Sequence, residues 1–431
     1  MSAPHHLRVR AYNVGFGDCF LLTFSYPGGV RDRNVLIDFG STKLASSSPS
    51  DGLRGIAATI AEDCGRKLDI VVATHRHADH INGFGDAGDI IGALEPELVL
   101  QPWTEDPDLD PDATAPAPTA TDGHLRARGV VASLAAMNAA AAAITAQVPR
   151  LAASKNVART AVEQLSFLGE TNIKNEDAVR NLMTMGKEHI YAAHGTKLDL
   201  DEVLPGVRVD VIGPPTLAQS SAIAHQASAN ADEFWHVAAA GAAAQAAPEQ
   251  ARRPIFPHAA IAEHRPQEAR WVIPQIDKMR AEEMLAIVRS LDSVLNNTSL
   301  ILLFEVAGKL FVFPGDAQLE NWQYALREAP DADATRARLK TARLYKVGHH
   351  GSLNATPKSL WNGFEHRGPE AAPERLVTML STAADKHGSL ARNTEVPRRV
   401  LVQALGTASD LHNTQSLRTK AQFWIDAEFP L

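Results

Sequence analysis

Ile70-Val71-Val72-Ala73-Thr74-His75-Arg76-His77-Ala78-Asp79-His80 is the stretch from which the rest of the chain is best read. An apolar, β-branched run ends abruptly in three imidazoles and a carboxylate packed into six residues. In α/β folds the end of a strand is where ligands and chemistry collect. Donors of this kind suit Zn²⁺, and also Mn²⁺ or Fe²⁺ where more oxygen ligands join. The plain alternative is a histidine-rich surface loop with adventitious metal affinity. Against it, further candidate ligands stand at strand ends elsewhere in the sequence.

Outward from this loop, short β-rich runs punctuated by glycine cover residues 8–14, 19–26, 34–38, 70–74 and 98–101, a pattern that predicts a sheet with helices between its strands. The β pattern resumes at 299–306, 309–313, 344–347, 377–381 and 423–428, with helical runs at 282–295 and 396–404. Between the two β-rich blocks the chain turns alanine-rich. Helical patterns at 130–147 and 157–168 are joined by Pro/Asp/Thr-rich linkers, and one strand-like island, 207–212, precedes Gly213-Pro214-Pro215. The expected organisation is a first half of the core at 1–103, a helical insertion at 104–206, a core strand at 207–217, an alanine-rich insertion at 218–280 and the second half of the core at 281–431. The two halves must then associate across the insertions, and no repeat at 20- to 50-residue spacing is evident.

Two other strand ends carry candidate ligands. Phe311-Val312-Phe313-Pro314-Gly315-Asp316 ends a strand in Gly-Asp, which alone is usually only a turn. Leu344-Tyr345-Lys346-Val347-Gly348-His349-His350-Gly351-Ser352 runs a strand into a loop with glycine on both sides of two histidines, where the backbone can approach a metal or a phosphate closely.

Taken together, the HxHxDH loop, Val14-Gly15-Phe16-Gly17-Asp18-Cys19-Phe20-Leu21-Leu22, Val35-Leu36-Ile37-Asp38, Asn296-Asn297-Thr298-Ser299-Leu300-Ile301-Leu302-Leu303, Gly315-Asp316 and the Lys346 to Ser352 loop resemble the metallo-β-lactamase superfamily. Within it they are most similar to the ComEC-like branch. That branch includes the cytoplasmic domain of the competence DNA-uptake channel and many stand-alone bacterial hydrolases. The resemblance spans roughly residues 7–103 and 207–431. It implies an α/β fold, the αββα sandwich of that superfamily, with a large, mostly helical insertion.

The resemblance also implies roles. His75 and His77 would bind one ion, and Asp79 and His80 a second. Asp316 would bridge them, since two carboxylate oxygens can span the roughly 3.5–4 Å of a two-metal site. One of His349 and His350 would complete the second site while the other faces substrate. Asp38 would orient a ligand imidazole. The superfamily's usual third histidine of the first site falls where this chain has Asn296 and Asn297, which biases that site towards harder ions; His194, in Ala193-His194-Gly195, could substitute from the insertion side. Lys346 would balance a phosphate's charge or simply snorkel from its strand. His387, in Lys386-His387-Gly388-Ser389, would contact substrate or donate a proton, or be a plain loop histidine.

The function implied is hydrolysis of a phosphodiester in nucleotides or single-stranded nucleic acid by a metal-bridging hydroxide, with Zn or Mn as the two divalent ions and Asp79 orienting the attack. The alternatives are a metallohydrolase of a non-phosphate ester, lactone or amide, and a regulatory protein with a vestigial site whose insertion docks a protein partner. Composition narrows the setting. The 431-residue chain carries a formal charge of −8, which excludes a global basic footprint for long duplex nucleic acid. Its two cysteines, Cys19 and Cys64, show no CxxC spacing, so neither a disulfide framework nor a thiolate site is indicated and a cytoplasmic setting is expected. No run approaches the roughly 18 apolar residues of a membrane span. The insertion is expected to form a helical cap beside the metal site.

Overall fold

The computed structural model describes residues 3–107, 175–216, 218–220, 295–352, 356–372, 374–384, 386, 395–417 and 422–431, with isolated positions between 115 and 165. These residues form an α/β structure with two mixed sheets. The first has seven strands in the order β13-β1-β2-β3-β4-β5-β6: β1 (His6–Tyr12), β2 (Cys19–Ser25), β3 (Arg33–Phe39), β4 (Ile70–Val72), β5 (Leu98–Pro102), β6 (Glu188–Ala192) and the last strand of the chain, β13 (Trp424–Pro430). The second has six in the order β12-β11-β10-β9-β8-β7: β7 (Arg208–Gly213), β8 (Ile301–Val306), β9 (Lys309–Phe313), β10 (Ala342–Lys346), β11 (Val377–Leu380) and β12 (Asp410–Asn413).

Both sheets follow one plan. Antiparallel pairs come first, β1 with β2 and β2 with β3 in one sheet, β7 with β8 and β8 with β9 in the other. Parallel neighbours follow, β3 to β6 and β9 to β12. Parallel strands point their carboxyl ends the same way, so residues just beyond β3, β4, β9, β10 and β11 gather at one edge, where the loops of α/β sheets make sites.

Strand alternation explains the packing. Phe20, Leu22 and Phe24 of β2 join Phe311 and Phe313 of β9 and Leu302 and Phe304 of β8 in one buried cluster shared by the two sheets. Phe304 sits among Phe24 and Phe313, with ring centroids 6.4 and 5.6 Å away. The opposite residues of β2, Cys19 and Leu21, pack with Leu53, Ile56 and Ile60 of α1 (Gly52–Asp63) and with Ile81 and Phe84 of α2 (Ala78–Asp86). The other face of the second sheet buries Leu303 and Val312 against Leu339 of α6 (Ala332–Lys340) and Leu401 and Leu405 of α8 (Arg399–Ala408). Buried on both faces, the central strands read as nearly continuous apolar runs. Between these helices lie α3 (Gly88–Gly92), α4 (Glu176–Thr184), α5 (Leu319–Gln323) and α7 (Lys358–Gly363). Among the described residues, no helix is long and apolar enough to cross a membrane.

Two strands have no counterpart in the sequence reading. β6 is exposed or half-buried along most of Glu188-His189-Ile190-Tyr191, and β12 is the short polar stretch Asp410-Leu411-His412-Asn413. Both are edge strands, paired on one side only, so neither needs an apolar run. β6 pairs in parallel with β5, and the Asn181 amide of α4 donates to the Phe84 carbonyl of α2 at 2.8 Å. The expected end of the helical insertion at residue 206 is therefore corrected: residues 175–206 supply a helix and a sheet strand to the core. The rest of the expected insertions, the cap they were to form and the helical runs at 130–147 and 157–168 fall largely outside the described residues.

Phe304→Ala is expected to destabilise the protein by about 3–5 kcal/mol through the cavity it leaves between the sheets. Val400→Ala, at a side chain 61% exposed, should change stability by less than about 0.5 kcal/mol. Denaturant titration of the two variants checks both values.

Candidate metal centre

The first group of candidate ligands arises where β4 stops. Asp38, at the end of β3, accepts the Thr74 backbone N–H at 2.7 Å on Oδ1 and the Thr74 hydroxyl at 2.7 Å on Oδ2. That pins the chain as it leaves the sheet. The loop then enters α2 at His77, whose extended ψ of 147° precedes the first helical residue. Asp79 occupies the first turn, where a carboxylate is favoured by the helix dipole.

His75 Nε2 and His77 Nδ1 lie 3.0 Å apart. Two nitrogens bound to one tetrahedral zinc are about 3.3 Å apart, given bonds of about 2.0–2.1 Å, so this spacing is close to that of two ligands on one ion. His80 presents Nδ1 to Asp38 Oδ2 at 2.8 Å and Nε2 to Asp316 Oδ2 at 3.1 Å. The carboxylate behind the ring thus holds the tautomer and orientation that aim Nε2 into the centre.

The second sheet brings its candidate ligands to the same place. Asp316 follows Gly315, which sits at a φ of 53° with Thr74 where a Cβ would stand, so β9 meets the β4 loop closely only with glycine there. His349 and His350 both adopt left-handed backbone, with φ of 45° and 51°. Such conformations cost of order 1–3 kcal/mol each and persist where the surroundings over-determine them. Here the His349 N–H donates to Asp316 Oδ1 at 2.9 Å, and the His350 Nδ1–H donates to the Ser381 carbonyl at 3.1 Å beyond β11. His350 Nε2 then lies 3.1 Å from Asp79 Oδ2 and 3.5 Å from Asp316 Oδ2. Of the two histidines, His350 is the one whose ring joins the cluster, while His349 cradles Asp316 through its backbone.

Among the described residues, three buried groups could each hold an ion: His75, His80 and Asp316; Asp79, His80 and His350; and Asp18, Asp38 and His80. The third contains a residue that the sequence reading quoted without a role. Asp18 is fully buried and forms an ion pair with Lys346, and its oxygens lie 3.7 Å from His80 Nδ1 and 3.6 Å from His350 Nδ1, behind both imidazoles. Gly17 makes this approach possible. A Cβ there would stand 2.2 Å from the Gly40 carbonyl oxygen and 2.6 Å from that of Asp79, to which the Asp18 N–H donates at 2.9 Å. A carboxylate after Gly-Phe-Gly in a turn between buried strands was the available signal.

Several expected roles change. Lys346 does not face outward to a phosphate: it is 2% exposed, donates to the Gly315 carbonyl at 2.9 Å, and is paired with Asp18 and Asp316. Burial opposes its charge, but the two carboxylates more than offset that and hold the ammonium firmly protonated. Asp316 turns Oδ1 to the His349 N–H and to Lys346 at 3.4 Å, and Oδ2 to the imidazoles. His194 is removed from the centre. Its Nδ1–H donates to the Ile212 carbonyl at 2.9 Å and its Nε2 lies 3.0 Å from Asp331 Oδ1. Asn297 turns its amide to Glu320 at 3.2 Å, and the Asn296 carbonyl accepts the Ser299 N–H at 3.1 Å; the turn reaches the centre through the Ser299 hydroxyl, which accepts from the Asp316 N–H at 3.3 Å. His387 lies outside the described residues.

The buried charges shape one another. Burial alone would raise the Asp79 carboxyl, but the hydrogen bond from His350 and the nearby imidazoles hold it below the usual range. Asp316 is likewise depressed despite burial, by His80, His350 and Lys346. Burial disfavours charge on His80 and His350, yet carboxylates on both sides raise their pKa values. His75 is lowered by burial and by its neighbouring imidazoles, and His349 is lowered to about 4 by burial, with His350 adding to the effect. Asp79 Oδ1 is among the buried polar atoms of the centre that have no hydrogen-bond partner, as suits an atom available to an ion. Comparison with protein-family models and with curated proteins finds no match for this chain.

Because His80 and His350 have raised pKa values, a divalent ion must displace their protons to reach Nε2. Metal affinity should therefore fall at low pH and rise through neutrality, by up to about tenfold per pH unit for each proton displaced. Calorimetric titration with Zn²⁺ in buffers of different ionisation heat counts the protons released. An affinity independent of pH between about pH 6 and 8 contradicts this picture.

Proposed function

We propose that the chain is a metal-dependent hydrolase of the metallo-β-lactamase superfamily, close to its ComEC-like branch, and that it cleaves phosphodiesters in nucleotides or single-stranded nucleic acid. Two sheets sharing one core, with helices packed on their outer faces, are consistent with the αββα sandwich of that superfamily. One observation carries the reading. The nitrogens of His75 and His77 meet at 3.0 Å, beside a continuous path from His80 Nε2 to Asp316 Oδ2, His350 Nε2 and Asp79 Oδ2 in steps of 3.1, 3.5 and 3.1 Å.

His75 and His77 would hold one divalent ion and Asp79, His80 and His350 a second, with Asp316 as a further carboxylate ligand. Ions held there would supply Lewis acidity, lowering the pKa of a water and screening phosphoryl oxygens. The chain's own residues prepare that chemistry. Asp38 and the Ser381 carbonyl fix the tautomers of His80 and His350, and Lys346 and the His349 N–H hold Asp316 from its other oxygen. Asp79 keeps Oδ1 available to orient an attacking group. Four carboxylates and one ammonium surround the imidazoles, so two divalent ions would offset that negative charge and remove the repulsion an anionic substrate would otherwise meet.

The deciding experiment is metal analysis followed by assay on bis-p-nitrophenyl phosphate, single-stranded DNA, RNA and cyclic dinucleotides, with lactone, ester and amide substrates alongside. Metal-dependent turnover confined to phosphodiesters is expected. Turnover confined to the neutral substrates transfers the site to that class, and no turnover in metal-replete protein favours a binding role. Asp316→Ala should lower hydrolysis more than His387→Ala does, since loss of a peripheral acid costs about 10²–10⁴-fold. Graded chelation should empty the His75/His77 position first, because the turn of Asn296 and Asn297 brings it no third imidazole; spectroscopy of the Co²⁺ form follows the order.

A further inference from the structure

We infer that Arg76 is a positioning residue for the His75/His77 end of the centre, held from behind by Glu105 and Asn175. The inference rests on the reading of His75 and His77 as ligands of one ion. Arg76 stands between them in sequence, yet its side chain goes elsewhere. Its Nε donates to both oxygens of Glu105 at 3.0 and 3.1 Å, and its Nη2 donates to Oε2 at 2.5 Å. Both partners are buried, Arg76 being 9% and Glu105 7% exposed. The backbone is gripped as well, because the Asn175 amide donates to the Arg76 carbonyl at 2.7 Å.

The two anchors come from different parts of the fold. Glu105 ends the short turn Trp103–Glu105 that follows β5, and the Trp103 indole N–H donates to the Pro215 carbonyl at 3.2 Å. Asn175 immediately precedes α4, which is fastened to α2 through Asn181 and Phe84. The residue between the two ligand histidines is thus fixed by its guanidinium to one element and by its carbonyl to another. A shift at either anchor turns the peptide that carries both rings, whose nitrogens are 3.0 Å apart.

A buried ion pair is a weak way to add stability. Replacing both partners by apolar residues of similar volume is often neutral, whereas removing one leaves an unpaired buried charge. If the Arg76–Glu105 fork merely filled space, a pair of methionines would serve as well. If it positions ligands, the methionine pair folds but binds metal less well, because flexible thioethers do not reproduce a planar, two-point grip.

The test is stepwise Zn²⁺ or Co²⁺ titration of metal-free protein, wild type against Arg76→Met/Glu105→Met and against Asn175→Ala, with thermal unfolding of each metal-free form. His75→Ala identifies which binding step belongs to His75 and His77. That step should weaken about ten- to hundred-fold in the double methionine variant, the range seen when outer partners of metal ligands are removed, with the other step and the metal-free melting temperature nearly unchanged. Asn175→Ala should weaken the same step, and decides the matter alone if the double variant does not fold. Wild-type affinity at both steps, an equal loss at both, or a fall in melting temperature without a change in affinity overturns the inference. If His75→Ala removes no step from the wild-type titration, the metal assignment itself fails, and the inference with it.

Discussion

Asp38 is the residue on which the site depends. Its carboxylate receives the Thr74 N–H and hydroxyl and faces His80 Nδ1, so one buried group ties the end of β3, the end of β4 and the first turn of α2. It does so at a φ of 56°, a left-handed conformation that a non-glycine residue keeps only when several bonds demand it. With Asp38 in place, His75, His77, Asp79 and His80 have little freedom left.

The site is shared by two sheets that are held together by an apolar core and meet at their strand ends through charge. Phenylalanines of β2, β8 and β9 fill the space between the sheets. At the edge of that core, Asp18 from the first sheet pairs with Lys346 from the second, and Asp79 meets His350. Isolated charges this deeply buried would be costly, and each here has an opposite partner within reach. The apolar packing therefore positions the polar cluster, and the polar cluster tolerates burial because its charges are matched.

The strongly periodic strands and the HxHxDH loop were legible because their signals are local. β9 matches its expected bounds, and β2 and β5 differ from theirs by one residue, since strands buried on both faces must be apolar throughout; β7, an edge strand, was legible from its alternating Val209, Val211 and the Gly-Pro-Pro that follows. β6 and β12 escaped because an edge strand needs no such run. Asp18 escaped for another reason. The glycine-flanked turn hints that Asp18 is enclosed, but the Lys346 that neutralises it lies on a different sheet, far along the chain.

By itself, the sequence determined that this chain has an α/β fold with donors collected at strand ends, because residue types and their alternation express burial and ligand chemistry directly. Which donors converge was decided only by tertiary structure. Asp316, His349, His350 and Lys346 are all placed by strand ends of the second sheet, and their roles separate only when that sheet packs on the first: His350 into the cluster, His349 around Asp316, Lys346 between two carboxylates. His194 reads in sequence as a spare ligand and in space belongs to Ile212 and Asp331. The physical reason is that a ligand set is a matter of a few ångströms between residues far apart in the chain, and that separation is set by how two sheets pack.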